Sequence, residues 1–269
     1  MRIITSVAPL TLAVLTTGCK RDFVIPAYLY IPYVEISTNY ALEGSASHKI
    51  IDAWVYVDDN AQGVFQLPAK IPLPFAGNHK VSILAGVLKD GKSVERIAYP
   101  FYSSFSQDLE LTSKQVDTVV PILGYIGSTT FLVIENFDAP SSAFGLTRTT
   151  DVVFEGTGSG LIRLIPSNTE ITSESNYYPI PHDGSRVFLE FDYQNQTVFD
   201  ILIQDSEILQ DQYIITITPK DLWNKVYVDL TAFVNRSPAD QYRIKFRCAL
   251  PDGVSEAVNY WDNIKILHL

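Results

Sequence analysis

Residues 50–67 read IIDAWVYVDDNAQGVFQL and contain a pattern that indicates the fold class. Two runs rich in β-branched and aromatic residues, 50–57 and 63–67, flank the polar turn at residues 58–60. Runs of this composition form strands, and a short polar turn between two of them indicates a β-hairpin. The same succession of strand-like runs and turns continues along the chain and predicts an all-β protein.

The first part of this pattern, residues 27–125, predicts a β-sandwich, because short strands with turns about every 8–12 residues are typical of that architecture. The Asp90-Gly91 step is a strong hairpin signal. Pro68, Pro72 and Pro74 cannot donate to a strand ladder, so residues 67–75 are predicted to be an edge strand or a connection. The strand-like runs lie at 27–37, 50–57, 63–67, 80–87, 94–101 and 118–123.

A second all-β unit is predicted over residues 131–269, beyond a small and polar boundary segment at 124–130. The runs and turns here, without an amphipathic helix among them, suit a jelly roll. Residues 218–222, TPKDL, predict one short helical turn, because a proline often follows the cap residue of a helix. The runs lie at 131–137, 152–155, 161–165, 187–193, 198–203, 213–218, 225–230, 242–250 and 259–267.

Charge and cysteine content exclude two classes of protein. The chain has 30 acidic and 20 basic residues and a formal net charge of −10, which is unsuited to binding nucleic acid. Its two cysteines are too few for a disulfide scaffold. Cys248 alternates with the apolar Ile244 and Phe246 and is predicted to be a small buried residue rather than a reactive thiol.

The first 19 residues, MRIITSVAPLTLAVLTTGC, predict a targeting segment. A cation at Arg2 precedes an apolar run that matches a signal peptide and is too short to span a bilayer as a helix. Residues 15–19, LTTGC, resemble the lipobox of bacterial lipoproteins, which implies that Cys19 is acylated and becomes the N-terminus. Residues 20–26 would then be a tether. The alternative is an ordinary secretory signal in which Cys19 has no role.

Further motifs carry family resemblances. Residues 53–68, AWVYVDDNAQGVFQLP, and 77–83, GNHKVSI, resemble a PEGA-type or Ig-like module, and residues 25–101 resemble surface lipoproteins of Bacteroidetes. Segments 134–138 (IENFD), 223–230 (WNKVYVDL) and 261–266 (WDNIKI) resemble carbohydrate-binding-module jelly rolls. The resemblances imply an Ig-like or PEGA-like sandwich, then a glycan-binding jelly roll, on a lipoprotein of the outer membrane exposed at the cell surface.

Two acidic residues predict a calcium site. Strand alternation places Glu135 on one face with Phe131, and Asp262 on one face with Ile264, so both carboxylates should face the core. The first and last strands of such a sandwich usually pair, and two converging buried carboxylates need a cation such as Ca²⁺. Asp138 is a candidate third ligand, and the jelly-roll resemblance implies the same structural ion. The alternative is that Glu135 and Asp262 lie at strand ends, hydrated or paired with Arg or Lys.

Aromatic residues are the candidates for a sugar site, because their rings stack on the C–H faces of pyranoses. Tyr177, Tyr178 and Trp261 are the best placed, in a loop or off the presumed core face. For each of the three, the alternative is a purely structural role. Trp54 and Trp223 are predicted to pack internally.

The sequence contains no motif for catalysis. The four histidines have no partner at zinc-binding spacing. The glycine-rich segment 156–160, GTGSG, precedes a strand rather than the helix that a phosphate loop requires. We therefore predict a non-catalytic lipoprotein that binds a glycan or another ligand. The alternative is an accessory subunit of an outer-membrane β-barrel complex, with a flat apolar contact surface instead of a groove.

Overall fold

A computed structural model describes residues 25–269, in which strands are the dominant element. Within this range no helix is long and apolar enough to cross a membrane. The elements of the N-terminal half are β1 (Ala27–Ile31), β2 (Glu35–Ile36), α1 (Tyr40–Glu43), β3 (Asp52–Val57), β4 (Asn60–Gln66), β5 (Ala69–Leu73), β6 (Gly77–Leu88), β7 (Arg96–Ala98), β8 (Phe105–Leu111), β9 (Val116–Thr118) and β10 (Ile122–Leu123).

The N-terminal half is a sandwich of two sheets, and β2 and β10 form a separate two-stranded sheet. One sheet of the sandwich has the order β4-β3-β6-β7 with β8 also on β6, and the other has the order β5-β1-β9. Their facing side chains, among them Leu29, Val55 and Ile83, form one buried core. β6 and β7 are antiparallel around Asp90-Gly91, and β5, which contains Pro72, is an edge strand, so both sequence predictions are confirmed.

The C-terminal half contains the strands that form the candidate functional site. Its elements are β11 (Thr130–Glu135), β12 (Thr147–Thr149), β13 (Ser159–Leu164), β14 (Glu170–Glu174), β15 (Tyr178–Pro179), β16 (Val187–Asn195), β17 (Phe199–Asp205), β18 (Asp211–Ile217), β19 (Lys220–Asp229), α2 (Thr231–Val234), β20 (Gln241–Ala249) and β21 (Ala257–His268).

These strands form a front sheet and a back sheet that pack face to face. The front sheet has the order β12-β13-β21-β16-β19 with β11 on β21, and the back sheet has the order β14-β20-β17-β18 with β15 on β20. Phe191 of the front sheet and Phe199 and Phe246 of the back sheet meet in the core. The all-β, two-sandwich prediction is confirmed. The boundary at 124–130 and the PEGA-like character of the first sandwich stay predictions.

The start of β19 differs from the sequence prediction. A helical turn was expected over residues 218–222, but β19 begins at Lys220, which pairs with Asn195 at the end of β16. That prediction was wrong because cross-strand pairing at this sheet edge outweighs the local Thr-Pro signal.

A β-bulge in β21 changes which side chains face the core. Trp261 and Ile264 both lie in the core although they are three positions apart. Between them Asn263 has a φ of 50°, and the pairing of β16 with β21 shifts register at this level. A bulge inserts an extra residue and so reverses the alternation beyond it. Asp262 consequently lies on the outer face of the front sheet.

The N-terminal half covers one end of this outer face. Phe188 and Tyr227 of the front sheet pack with Tyr99 and Phe101 of the N-terminal half in a buried aromatic cluster. The contact leaves the other end of the outer face, around Gln194 of β16, partly open to solvent.

Candidate functional site

The open end of the front sheet's outer face presents aromatic side chains. Tyr193 of β16 and Trp261 of β21 point into the core, and the next residues, Gln194 and Tyr260, pair directly across the two strands. Successive side chains of a strand point to opposite faces, so Gln194 and Tyr260 lie on the outer face. Trp223 of the neighbouring β19 joins them there, within 6.5 Å of the Tyr260 ring centroid.

Phe154, Trp223 and Tyr260 form a row that we call the aromatic strip. The Phe154 and Trp223 ring centroids are 5.5 Å apart, with the ring planes tilted by 57°, and the Trp223 and Tyr260 planes are tilted by 48°. Phe154 is 41% exposed, and the other two rings are half-buried. Rings held in this way offer apolar surface to a ligand while their positions are constrained by each other.

Asp262 anchors the loop that carries Phe154. The carboxylate of Asp262 accepts hydrogen bonds from the backbone amides of Phe154 and Glu155, each at 3.2 Å, and from the Asn263 amide at 2.8 Å. Asp262 is fully buried, and this burial raises the pKa of its carboxyl group to about 7. The bulge therefore places a buried acceptor where it can hold Phe154 beside Trp223.

Polar groups lie along one side of the aromatic strip. A small cavity of about 120 Å³ next to Tyr260 is lined by Gln194, Gln196, Lys220 and Asp221. The Gln194 side-chain amide donates to the backbone carbonyl of Asp221 at 2.5 Å, which fixes its orientation. Amide and ammonium groups beside aromatic rings are the polar contacts that sugar hydroxyls require.

A larger cavity of about 470 Å³ begins on the other side of Lys220. It lies between the β6–β7 loop of the N-terminal half and strands β18 and β19 of the C-terminal half. Lys49 and Lys225 line it together with Lys92 and Asp90, and Lys220 lines both cavities. The two cavities therefore flank the start of β19.

A buried polar network joins the two halves behind this site. Glu190 of β16 is fully buried and accepts hydrogen bonds from the hydroxyls of Tyr99, at 2.6 Å, and Tyr125, at 3.0 Å. The Lys265 ammonium donates to the Ser45 carbonyl at 2.7 Å and to the Tyr125 hydroxyl at 3.1 Å. Burial lowers the pKa of Lys265 to about 8. These contacts hold residues of the N-terminal half in fixed positions beside the front sheet.

The predicted calcium ligands Glu135 and Asp262 are both buried, and their strands, β11 and β21, pair as expected. The prediction that the two carboxylates share a face was wrong. Glu135 pairs with Ile264 and so faces the core, whereas Asp262 pairs with Asp192 on the outer face. The bulge at Asn263 causes the difference, because it reverses the alternation between positions 262 and 264.

Backbone and hydroxyl groups satisfy the same carboxylates. Glu135 accepts hydrogen bonds from the amides of Phe137 and Ala143, at 2.9 and 2.5 Å. Asp138 accepts from the Thr157 amide at 2.8 Å and from a tyrosine hydroxyl of α1 at 2.9 Å. In the described range no group of three or more His, Cys, Asp or Glu residues is placed to hold a metal ion. Glu135, Asp138 and Asp262 therefore do not form one site.

Calcium binding by the chain stays a prediction. Because Glu135, Asp138 and Asp262 do not form one site, a bound Ca²⁺ would need further oxygen ligands. Equal melting temperatures in Ca²⁺ and in chelator would contradict it.

Trp261, a predicted sugar ligand, is fully buried in the core, so that prediction was wrong. Its ring stacks on Phe246 of the back sheet with centroids 5.3 Å apart and an interplanar angle of 25°. The expectation that Trp223 packs internally was also wrong, since Trp223 lies in the aromatic strip. The bulge explains the position of Trp261, because it turns residues 261 and 264 of β21 to the same, core-facing side.

Tyr177 and Tyr178 lie beside the back sheet, where β15 pairs with β20. The Tyr177 hydroxyl donates to Gln204 at 2.9 Å, and the Arg243 guanidinium lies 4.5 Å from the centroid of the Tyr177 ring. Tyr178 pairs with Tyr242 and packs on the core. One face of the Tyr177 ring is therefore occupied by Arg243, and ligand binding by Tyr177 and Tyr178 stays a prediction.

The outer face of the back sheet is rich in charges that neutralise one another. Arg247 lies 2.7 Å from Asp200, and Lys245 lies 2.8 Å from Asp211. A ligand there would have to replace existing ion pairs, which costs their mutual attraction. This distinguishes the back sheet from the aromatic strip.

The predicted lipidation residue, Cys19, lies outside the described residues. Cys248 is fully buried, as predicted, and burial raises the pKa of its thiol to about 12. A thiol in that environment is protonated at neutral pH and is a poor nucleophile.

Comparison with known proteins gives matches only among solved structures. No family model matches the chain, and no match was found among curated proteins. A family 29 carbohydrate-binding module is 21% identical, and the alignment covers 52% of this chain and 91% of that chain with a TM-score of 0.34. A module of the same family in complex with mannohexaose is 19% identical, with 52% and 91% covered and a TM-score of 0.36.

A structure of carbohydrate-binding modules from the β-sandwich superfamily is 14% identical and covers 81% of this chain and 85% of that chain, with a TM-score of 0.38.

Sequence reasoning missed the aromatic strip and the pair Lys49 and Lys220. The position of Trp223 follows from the pairing of β19 with β16, because Trp223 lies one residue before Asn224, which pairs with the core residue Tyr193. The approach of Lys49 to Lys220 has no local signal.

Proposed function

We propose that this protein is a non-catalytic, lipid-anchored glycan-binding protein. The observation that carries the proposal is the aromatic strip, in which Phe154, Trp223 and Tyr260 present partly exposed rings in a row. Aromatic rings are favourable contacts for the C–H faces of pyranoses, and a row of rings can engage successive sugar units.

The surroundings of the aromatic strip support this proposal. Gln194, Gln196 and Lys220 provide hydrogen-bond donors beside Tyr260, in positions to bind sugar hydroxyls. Because Asp262 holds the amide of Phe154 and is itself buried, the strip is largely preformed. A preformed site loses little conformational entropy on binding.

The absence of catalysis is part of the proposal and rests on the sequence, which has no motif for a nucleophile, a zinc site or a phosphate loop. Asp262, the acidic residue that holds the loop of Phe154, is fully buried and engaged with backbone amides. A buried carboxyl group cannot reach a glycosidic bond on the surface.

The anchor and location rest on the segment at residues 15–19, LTTGC, which resembles a lipobox with Cys19 as the acylated residue. Several acyl chains would hold the protein on a membrane almost permanently, since each buried methylene contributes about 0.8 kcal/mol. The proposed location is the outer membrane, with the protein exposed at the cell surface.

The test is binding of the full chain, purified in mild detergent, to a panel of soluble polysaccharides by affinity electrophoresis. We expect Trp223→Ala to weaken binding by roughly tenfold or more, because the central ring of the strip is lost. Tyr213→Ala is the matched control, since Tyr213 is a 55% exposed aromatic residue on β18 of the back sheet. Circular dichroism would confirm that both variants fold.

The proposal fails if no polysaccharide retards the protein or if Tyr213→Ala loses as much binding as Trp223→Ala. Co-purification of a β-barrel protein in stoichiometric amount, with no polysaccharide bound, would favour the alternative of an accessory subunit of an outer-membrane complex.

A further inference from the structure

The large cavity beside β19 contains two lysines without a carboxylate partner. Lys49 and Lys220 both line it, and within residues 25–269 neither ammonium group takes part in an ion pair. Lys49 contacts the amide oxygen of Asn224 instead. Both lysines are exposed, so their charges are accessible to a ligand from solution.

The other lysines of the cavity are neutralised. Lys225 lies 3.7 Å from Glu190 and 3.6 Å from Asp192, and Lys92 lies 3.3 Å from Glu95. The unbalanced positive charge of the cavity therefore belongs to Lys49 and Lys220. It stands out in a chain whose formal net charge is −10.

Lys49 is held in place by its backbone. Its amide donates to the hydroxyl of Tyr227, a fully buried residue of β19, at 2.9 Å. Partial burial and the charge of Lys220 both lower the pKa of Lys49. Like charges that line one cavity repel each other. An anion bound between them would relieve this repulsion.

The position of Lys220 connects this charge with the aromatic strip. Lys220 lines the large cavity and also the small one beside Tyr260. The large cavity, at about 470 Å³, is within the roughly 300–1,000 Å³ of common ligand pockets. A sugar chain on the aromatic strip can therefore extend past Lys220 toward Lys49.

We infer that the saccharide bound by this protein is acidic, and that Lys49 and Lys220 bind the anionic group of one of its sugar units. The anionic group is a carboxylate or a sulfate, since an ammonium ion recognises both as point charges. This inference rests on the proposed function of the aromatic strip and adds the chemical class of the ligand.

The test compares three ligands by isothermal titration calorimetry with the full chain in detergent at constant ionic strength. The ligands are an oligogalacturonate hexamer, a sulfated galactan oligosaccharide and neutral mannohexaose. We expect at least one acidic oligosaccharide to bind about tenfold more tightly than the neutral one, with a preference that falls as salt is raised. The arm that binds identifies carboxylate or sulfate as the recognised group.

The variant Lys49→Gln/Lys220→Gln should lose this preference while it keeps weak binding that depends on Trp223. The control Lys80→Gln/Lys114→Gln removes two exposed lysines of the N-terminal half and makes the same change in net charge, so it should keep the preference. Loss in both double variants would show a general charge effect and overturn the inference.

The outcomes separate the inference from the proposed function. Binding of neutral and acidic saccharides with equal affinity, weakened by Trp223→Ala, would overturn the inference alone. Retention of the acidic preference in Lys49→Gln/Lys220→Gln would do the same. Binding of none of the three ligands, together with no retardation by the polysaccharide panel, would overturn both.

Discussion

The carboxyl group of Asp262 is shielded from water while it accepts hydrogen bonds from the amides of Phe154, Glu155 and Asn263. Burial raises its pKa to about 7, against an ordinary value of 3.8. At a pH between these two pKa values, the native state binds more protons than the unfolded state. The contribution of Asp262 to the free energy of unfolding therefore falls as pH rises from about 4 to above 7.

Asp262→Asn should remove this pH dependence. When the pH is raised from 5 to 8, we expect the free energy of unfolding of the variant to increase by roughly 3 kcal/mol relative to that of the wild type, because the variant has no buried carboxyl group to ionise. Urea denaturation of both proteins at the two pH values measures the gain. His48, whose pKa burial lowers to about 4, has the opposite effect, but it is present in both proteins and cancels in the difference. An identical stability difference at both pH values would contradict the prediction.

Acylation of Cys19 can be tested by metabolic labelling. In cells fed an alkyne fatty acid, we expect the protein to be labelled and Cys19→Ala to lose the label. Cys248→Ala should keep it, because the Cys248 thiol is buried and protonated. A label that remains on Cys19→Ala would show that Cys19 is not the acylated residue.

At the scale of the element, the bulge in β21 organises the site. Asn263 has a φ of 50°, a left-handed conformation that costs most residues roughly 1 kcal/mol or more and costs glycine nothing. The bulge keeps Trp261 in the core and moves Asp262 to the outer face, where it holds the loop of the aromatic strip.

Two substitutions at this position isolate the backbone effect. Asn263→Gly and Asn263→Ala both lose the side-chain hydrogen bond to Asp192, at 3.1 Å. We expect the glycine variant to be more stable than the alanine variant by about 1 kcal/mol in urea denaturation, the reverse of the usual preference in a strand. An alanine variant of equal or greater stability would show that the left-handed conformation does not matter here.

At the scale of the whole molecule, the two halves share a buried interface. Tyr99 reaches across it and donates to Glu190 at 2.6 Å, and the aromatic cluster around it continues into both halves. A buried carboxylate that loses a donor retains its desolvation cost without compensation. The interface is therefore expected to make the halves unfold together.

Tyr99→Phe should destabilise the protein by about 1–3 kcal/mol, because it leaves Glu190 with one hydrogen-bond donor fewer. Tyr102→Phe is the matched control. Its hydroxyl is buried in the same cluster and has no hydrogen-bond partner among residues 25–269, so its removal should change stability little. The measurement is the free energy of unfolding in urea, and equal losses in the two variants would contradict the role of Glu190.

Local sequence was sufficient for features that depend on alternation within one strand. The apolar positions of β20, from Tyr242 to Cys248, predicted a buried face, and the structure buries both ends of it. Pro72 predicted an edge strand, which β5 is. These features could be read from the sequence because a period of two residues and the missing amide of proline are properties of the chain itself.

Only the tertiary structure decided which aromatic and charged residues meet. A bulge of one residue put Trp261 inside, and cross-strand pairing at β19 brought Trp223 to the outer face. The approach of Lys49 to Lys220 joins residues from the two halves of the chain. A one-residue shift in pairing moves every later side chain of the strand to the opposite face of the sheet. Contacts between distant segments leave no local pattern. Neither feature could therefore be predicted from the sequence.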